Sequence, residues 1–200
     1  MIVLKVGGSL SGSARGLLSS VAREGCDVLV VPGGGEFADA VRKVHAAGTL
    51  SDDAGHWMAV LAMDQYAYFL SDGTGLPLAE GLEGRGARIA LPYEMLRKDD
   101  ALPHSWDVTS DTIAAWMAFR LKARLIKATD VDGIFRDGRL VETIRASELQ
   151  EMGETCVDRA MPAFLVEHGM DALVINGLCP PRVLDALRGK KTIGTVILGR

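Results

Sequence analysis

Features that mark several other classes of protein are missing from this sequence of 200 residues. No apolar run in it approaches the roughly 18–20 residues that a membrane-spanning helix needs. The opening MIVLK reaches Lys5 and two glycines too early for a secretory signal. Cysteine is scarce, since Cys26, Cys156 and Cys179 are scattered and odd in number, as expected of reduced thiols. We therefore expect a cytoplasmic protein without a membrane segment.

Signatures of metal and nucleic-acid binding are also missing. Neither the cysteines nor the four histidines have the spacing of zinc ligands, so no protein-bound metal is predicted. The charge balance, 22 Lys and Arg against 26 Asp and Glu, includes no basic stripe, which argues against a nucleic-acid partner. The GxxxxGK[ST] phosphate loop and the GxGxxG dinucleotide fingerprint do not occur either. An anionic ligand must therefore be attracted by local groups rather than by overall charge.

What the chain does contain is a regular alternation of short apolar runs and longer helical patterns. Strands are predicted at residues 2–6, 27–31, 87–91, 123–128, 171–175 and 194–198. Helices are predicted near residues 13–24, 36–47, 52–70, 110–121, 159–168 and 180–188. The strands are almost continuously apolar, as in a parallel sheet covered on both faces. This pattern predicts an α/β fold, a three-layer αβα sandwich with a mainly parallel central sheet.

Two segments depart from this rhythm. Asp137-Gly138 lies between strand-like arms in residues 135–143 and predicts a tight hairpin. Residues 71–86, rich in glycine and polar residues, are the only plausible flexible connection. Because the strand–helix pattern resumes afterwards and no repeat is found, residues 1–200 are expected to form a single domain.

Three loops follow predicted strands, at the sheet edge where ligands of open α/β proteins bind. They are KVGGSL (5–10), PGGGEF (32–37) and ATDVDGIF (128–135). Glycine loops before helices let backbone N–H groups approach an anion, and Lys5 inside an apolar strand needs an anionic partner. Each feature alone is compatible with a simple turn or a solvated lysine. Together they favour phosphate binding.

The segment TSDT (109–112) is a fourth candidate. Thr109 or Ser110 can cap a helix there, and Asp111 falls in the first turn. A good helix cap explains the segment by itself. A carboxylate at this point could also orient lysines or hydroxyls around a phosphate.

With these pieces in order, the whole chain resembles the amino acid kinase family. KVGGSL is similar to the family's lysine–glycine motif, VVPGGGEF to its acceptor-side loop, TSDTIAA to its catalytic aspartate segment and ATDVDGIF to its nucleotide loop. The resemblance implies ATP as phosphoryl donor, with Mg²⁺ held mostly by phosphates and waters. It implies that Lys5 stabilises charge on the transferred group and that Asp111 orients the catalytic lysine or an acceptor-side group.

The same resemblance assigns nucleotide-binding residues. Gly7, Gly8 and Ser9 would hold the β- and γ-phosphates. The adenosine site would be lined by Thr129, Asp130, Gly133 and Phe135.

One departure from the family pattern concerns the acceptor. Members that phosphorylate amino acids carry a second lysine where this chain has Asp158, followed by Arg159. An aspartate there resembles the uridylate kinase branch, whose acceptor is already a phosphate, and Asp158 joins the expected catalytic set. The N–H groups of Gly33, Gly34 and Gly35 would then cradle the acceptor's phosphate. Whether Arg159 replaces the lysine stays open.

The acceptor region resembles a branch of the family in the methanofuran pathway, which phosphorylates [5-(aminomethyl)furan-3-yl]methyl phosphate. The expected acceptor-binding side chains are Trp106, Asp107, Thr109 and Ser110. A furan ring can stack on an indole, and its ammonium can pair with Asp64 or Asp107. The roles of His56 and His104 stay open, because helical spacing around Trp57 is more typical of core or interface.

Two other functions remain as alternatives. One is a kinase for another phosphate acceptor, UMP or isopentenyl phosphate. The second is a non-catalytic protein that stores ATP and oxyanions on the same fold. A homo-oligomer is expected in each case, with the apolar face of residues 52–70 as one candidate surface.

Overall fold

The computed structural model describes residues 1–200 and contains a central sheet of eight strands. The sheet strands, in chain order, are β1 (Ile2–Val6), β2 (Val28–Pro32), β3 (Leu78–Ala79), β4 (Arg88–Ala90), β5 (Arg124–Thr129), β8 (Thr143–Arg145), β9 (Ala172–Asn176) and β10 (Thr195–Leu198). Their spatial order is β3-β4-β2-β1-β5-β9-β10-β8. Every neighbouring pair is parallel except β9 and β10. The central strands are fully covered, which explains their nearly continuous apolar runs.

Helices cover both faces of this sheet. They are α1 (Ala14–Arg23), α2 (Gly35–Ala46), α3 (Asp52–Ser71), α4 (Pro92–Lys98), α5 (Ser110–Leu121), α6 (Ala146–Glu151), α7 (Ala160–His168) and α8 (Pro180–Leu187). One core contains apolar residues of α4 to α7, and the other contains those of α1 and α8. The long helix α3 packs into both. None of the eight is both long and apolar enough to cross a bilayer.

The register of β1 and β5 decides where the central charged residues point. Lys5 is paired with Lys127, and Val3 with Leu125, in the parallel ladder between these strands. Side chains two residues apart lie on the same face of a strand. Val3 and Leu125 lie in the core beneath α5. Both lysines therefore extend from neighbouring strands toward α5.

The predicted fold class is confirmed, because a mainly parallel sheet lies between two helical layers. The sequence-based bounds miss four short elements, β3, β8, α4 and α6. Strands of two or three residues leave too short an apolar run to detect. For α4 the signals were present, with Pro92 at its start, Glu94 in the first turn and Arg97 near its end.

The hairpin prediction is also confirmed. Strands β6 (Phe135–Arg136) and β7 (Arg139–Leu140) pair antiparallel outside the main sheet. Asp137 and Gly138 have φ angles of 53° and 74°, as a two-residue turn of this kind requires.

Candidate active site

The centre of the candidate site is a buried cluster of two lysines and one aspartate. The Asp111 carboxylate, in the first turn of α5, pairs with Lys5 Nζ at 2.8 Å and also with Lys127 Nζ. All three side chains are at most 8% exposed. Two ammonium groups facing one carboxylate leave an excess of positive charge at this contact, which the carboxylate of Asp158 offsets in part. A buried excess charge of this kind attracts an anion.

Burial and charge act against each other in this cluster. Burial alone would raise the pKa of Asp111, but Lys5 and Lys127 outweigh it and hold that pKa well below its usual range. Burial, together with the charge of Lys127, lowers the pKa of Lys5 in spite of its contact with Asp111. The carboxylate therefore stays ionised and keeps both lysines in place.

Asp158 joins the first turns of α5 and α7. Its carboxylate accepts hydrogen bonds from the backbone N–H and hydroxyl of Thr109, from the same two groups of Thr112, and from the backbone N–H of Met161. The distances lie between 2.6 and 3.0 Å. The backbone N–H of Asp158 donates to Asp111 Oδ2 at 3.1 Å. Asp158 thus caps both helices and supports Asp111.

The two glycine loops lie directly against each other. A Cβ atom on Gly8 would come within 2.8 Å of Gly35 Cα, and one on Gly33 within 3.0 Å of Gly8 N. At Gly35, φ is +51° and a Cβ would meet the Tyr66 ring at 3.1 Å. Side chains are excluded at these positions because the opposite loop, or Tyr66, occupies the space.

A polar cavity of about 300 Å³, the glycine cavity, opens between these loops and Lys5. Its lining consists of Lys5, Gly8, Ser9, Gly33, Gly34, Gly35, Glu36, Ala38, Asp39, Arg42, Thr109 and Ser110. The Gly33 N–H does not serve the expected cradle, since it donates to the Val6 carbonyl at 2.8 Å. Gly34 and Gly35, at the N-terminus of α2, are left for that role.

A smaller cavity of about 50 Å³, the tryptophan cavity, adjoins the first. The two share Gly34, Ala38, Arg42, Thr109 and Ser110, and the smaller one adds the side chains of Asp52, His56, Ala59, Val60, Met63, Ser105, Trp106, Val108 and Ile113. Trp106, Thr109 and Ser110 were predicted for this region, and the structure brings them together. Asp107 is exposed and lies outside both linings.

His56, on the wall of the tryptophan cavity, stacks on His104 with ring centroids 4.1 Å apart. Burial and then the charge of His104 lower the pKa of His56 to about 4. Burial by itself would lower the pKa of His104 as well, but hydrogen bonds to Asp100 and Asp53 raise it. Of the two stacked rings, His104 is therefore the one that binds a proton more readily, and the His56 ring that faces the cavity is neutral near pH 7.

This assignment predicts distinct histidine titrations. By NMR, we expect the His56 ring to stay neutral until the pH approaches about 4. Its pKa lies below that of an unfolded histidine, about 6.5, so His56 removes stability as the pH falls through this interval. His104 does the opposite, because its raised pKa adds stability at low pH that is lost as the pH rises.

Substitution His104→Phe keeps a stacked ring without the charge and should raise the pKa of His56. The matched control is His168→Phe, on the distant helix α7, which should leave that pKa unchanged. A wild-type His56 that titrates near 6.5 would contradict the assignment.

The four residues predicted for the adenosine site, Thr129, Asp130, Gly133 and Phe135, lie at the end of β5, in the loop after it and at the start of β6. Thr129 is buried and its hydroxyl donates to Asp130 Oδ1 at 3.1 Å. Phe135 is exposed on β6. At Gly133, φ is +154° and a Cβ would collide with the Thr195 side chain, so packing accounts for this glycine. None of the four lines the glycine cavity.

Several residues of the site were not predicted from the sequence. Lys127 and Arg42 contribute cations, and Asp132 fixes the loop after β5. The Asp132 carboxylate accepts from Asn176 Nδ2 at 2.8 Å and from Arg182 Nη1 at 2.6 Å. A lysine in the apolar run ARLIKA was the one available signal for Lys127.

Two residues with open roles lie elsewhere. The Asp64 carboxylate accepts from the Tyr93 backbone N–H at 3.1 Å at the start of α4, and burial raises its pKa to about 6. It lines neither cavity. Arg159 is exposed and lines a separate cavity beside α6, away from the glycine cavity. The second lysine that contacts Asp111 is Lys127.

At the carboxyl edge of the mainly parallel sheet, paired lysines and facing glycine loops form a site that suits a phosphoryl group. The chain belongs to the amino acid kinase family, whose model matches residues 92–176. It is a phosphotransferase, like the named kinases it resembles.

Three relatives cover nearly the whole chain. The [5-(aminomethyl)furan-3-yl]methyl phosphate kinase of Methanocaldococcus jannaschii is 37% identical over 100% of this chain and 98% of its own. A uridylate kinase of Corynebacterium diphtheriae is 26% identical over 98% of this chain and 93% of its own. The crystal structure of uridylate kinase from Archaeoglobus fulgidus superposes with a TM-score of 0.72 at 22% identity, covering 98% of this chain and 100% of that one.

Proposed function

We propose that the protein transfers the γ-phosphoryl group of ATP to [5-(aminomethyl)furan-3-yl]methyl phosphate and forms its diphosphate. The observation that carries this proposal is the glycine cavity, where Lys5 faces two glycine loops. This cavity continues into the tryptophan cavity, which is lined by aromatic side chains. The 37% identity to the Methanocaldococcus jannaschii enzyme supports the proposed identity of the acceptor. The reaction itself follows from the charged centre.

The side chains of this centre can stabilise a transferred phosphoryl group. Phosphoryl transfer needs in-line positioning and charge neutralisation rather than a protein nucleophile. Lys5, with Lys127 behind it, places positive charge where the equatorial oxygens gain negative charge. Asp111 keeps both ammonium groups oriented and carries no proton to give to the substrate, because the two lysines hold its pKa well below the usual range.

ATP supplies the activated phosphoryl group. A fit to its phosphates is supported by the glycine cavity, where Lys5, Gly8 and Ser9 border a polar space of about 300 Å³. Gly7, Gly8 and Ser9 are proposed to hold the β- and γ-phosphates, with adenosine near Thr129, Asp130, Gly133 and Phe135. Mg²⁺ would be held mostly by phosphate oxygens and waters.

On the acceptor side, Gly34, Gly35 and Arg42 are placed to bind the phosphate already present. Arg42 Nη1 pairs with Asp39 at 2.7 Å, which orients its guanidinium beside both cavities. The furan ring would enter the tryptophan cavity. Asp52 is the carboxylate on that wall, so it replaces Asp64 and Asp107 as the proposed partner of the ammonium.

The proposal is tested by ATP-dependent ADP release with a panel of acceptors. The panel contains the furan phosphate, its unphosphorylated alcohol, UMP, isopentenyl phosphate and acetylglutamate. We expect turnover with the furan phosphate and none with the alcohol, because the alcohol has no phosphate group to bind in the glycine cavity. Turnover with the alcohol or acetylglutamate alone would overturn the phosphate-acceptor assignment.

Two alternatives have distinct outcomes in the same assay. Preferred turnover of UMP or isopentenyl phosphate would keep the reaction class and change the acceptor. No turnover, together with metal found by elemental analysis of the purified protein, would favour the storage function.

A single domain, a cytoplasmic location and a homo-oligomer complete the proposal. On α3, Met58, Leu61, Tyr68 and Phe69 are between 37% and 61% exposed at near-helical spacing. Such a stripe is a reasonable subunit contact.

A further inference from the structure

Trp106 forms one wall of the tryptophan cavity and is held there by His45 and, through His45, by Asp52, the proposed partner of the acceptor's ammonium group. Its indole Nε1–H donates to His45 Nδ1 at 3.1 Å, and His45 Nε2 lies 2.9 Å from Asp52 Oδ1. We propose that Asp52 and His45 are positioning residues that fix the Trp106 ring and so select acceptors with a flat unsaturated group next to the phosphate. This inference rests on the proposed function and extends it to acceptor choice.

The direction of these hydrogen bonds follows from their chemistry. An indole nitrogen can only donate, so His45 Nδ1 must accept and carries no proton. The proton of the neutral ring is then on Nε2, where it donates to the Asp52 carboxylate. Asp52 therefore selects the one tautomer of His45 that can bind the indole.

The three residues come from three separate segments. His45 lies in the last turn of α2, Asp52 in the first turn of α3, and Trp106 in the loop before α5. Their contacts join helices α2 and α3 to the loop before α5, which together line the tryptophan cavity. The ring orientation is thus set by tertiary structure rather than by the loop alone.

Gly55 is an independent sign that this arrangement is built into α3. A Cβ at Gly55 would lie 3.0 Å from His45 Cδ2 and 3.6 Å from Trp106 Cζ2. Glycine inside a helix is less favourable than alanine, so a packing reason is expected. The imidazole occupies the space that a side chain would take, and the indole lies at ordinary contact distance beside it.

The fixed Trp106 ring limits what the tryptophan cavity can recognise. Because the indole N–H is already used, Trp106 offers carbon surface and no donor to the acceptor. The neutral His56 ring and the methyl groups of Val60 and Ile113 line the same space. With a volume of about 50 Å³, the tryptophan cavity suits a small flat ring rather than a nucleoside with its ribose hydroxyls.

A double-mutant cycle tests the inference with the furan phosphate as acceptor. His45→Leu should raise the acceptor KM about tenfold, the size expected for one lost hydrogen bond, and leave the ATP KM unchanged. His45→Gln should restore most of this loss, since its amide can accept from the indole and donate to Asp52. In a Trp106→Phe background, which keeps a ring without the N–H, His45→Leu should add nothing.

The indole N–H resonances of ¹⁵N-labelled protein provide a readout that does not depend on turnover. In His45→Leu we expect the Trp106 signal to shift while those of Trp57 and Trp116 stay in place. An unchanged Trp106 signal, or additive KM effects in the cycle, would overturn the positioning role. Absence of turnover with every acceptor would instead overturn the proposed function, whatever the indole signals show.

Discussion

Replacing Lys5 with methionine is expected to lower kcat by a factor of about 10²–10³ or more, while the protein stays folded. The ammonium group of Lys5 borders the glycine cavity, and a methionine there supplies no charge to the transferred phosphoryl group. Folding should survive, because Asp111 keeps its ion pair with Lys127 and its hydrogen bond from Asp158. A single-turnover assay separates this loss of chemistry from any change in ATP binding.

Lys98→Met is the matched control, since Lys98 is exposed in the last turn of α4. It should leave kcat unchanged. Circular dichroism and thermal unfolding of both variants establish that the fold is retained. Turnover by Lys5→Met at the wild-type rate would contradict the assignment of Lys5 to the transferred group.

Substitution Asp158→Ala is expected to reduce the free energy of unfolding by about 2–4 kcal/mol and to lower kcat as well. The change removes the acceptor of hydrogen bonds from Thr109, Thr112 and Met161, and it leaves N–H groups at two helix starts without a partner. Loosening these helix starts also loosens Asp111 and hence both lysines. Urea unfolding and steady-state kinetics on the same preparation measure the two effects together.

The control for this second substitution is Glu154→Ala, which removes an exposed carboxylate from the same segment. Little change in stability is expected from it. Asp158→Asn should be intermediate, because an amide oxygen replaces only part of the acceptor capacity. A stable Asp158→Ala protein without turnover would show that the carboxylate acts directly on the substrates.

Much of the fold could be predicted because burial leaves a direct trace in the sequence. Strands β1, β2 and β5 are covered on both sides, so their apolar runs stand out against the helical patterns. The antiparallel pairing of β10 with β9 left no such trace. An apolar strand has the same composition in either direction.

The candidate site was predicted in part, and the missed residues share one property. Lys5 and Asp111 occur in recognisable local patterns, a glycine loop and a helix start. The missed residues have roles that depend on contacts with residues far away in the chain, as for Lys127, His45 and Asp52. Asp107, by contrast, lies next to Trp106 in sequence but points away from the cavity lining, since neighbours in an irregular loop need not share a face.

The pairing of Lys5 with Lys127 across β1 and β5 has a consequence for the diversification of such enzymes. Adjacent strands are held about 4.8 Å apart by their backbone ladder, so the sheet fixes the spacing of the two lysine backbones, and Asp111 holds both ammonium groups. The loops around them can change in length and composition without altering that spacing. A new acceptor can therefore be accommodated by rebuilding the rim of the cavities, while the charged centre stays as rigid as the strands that carry it.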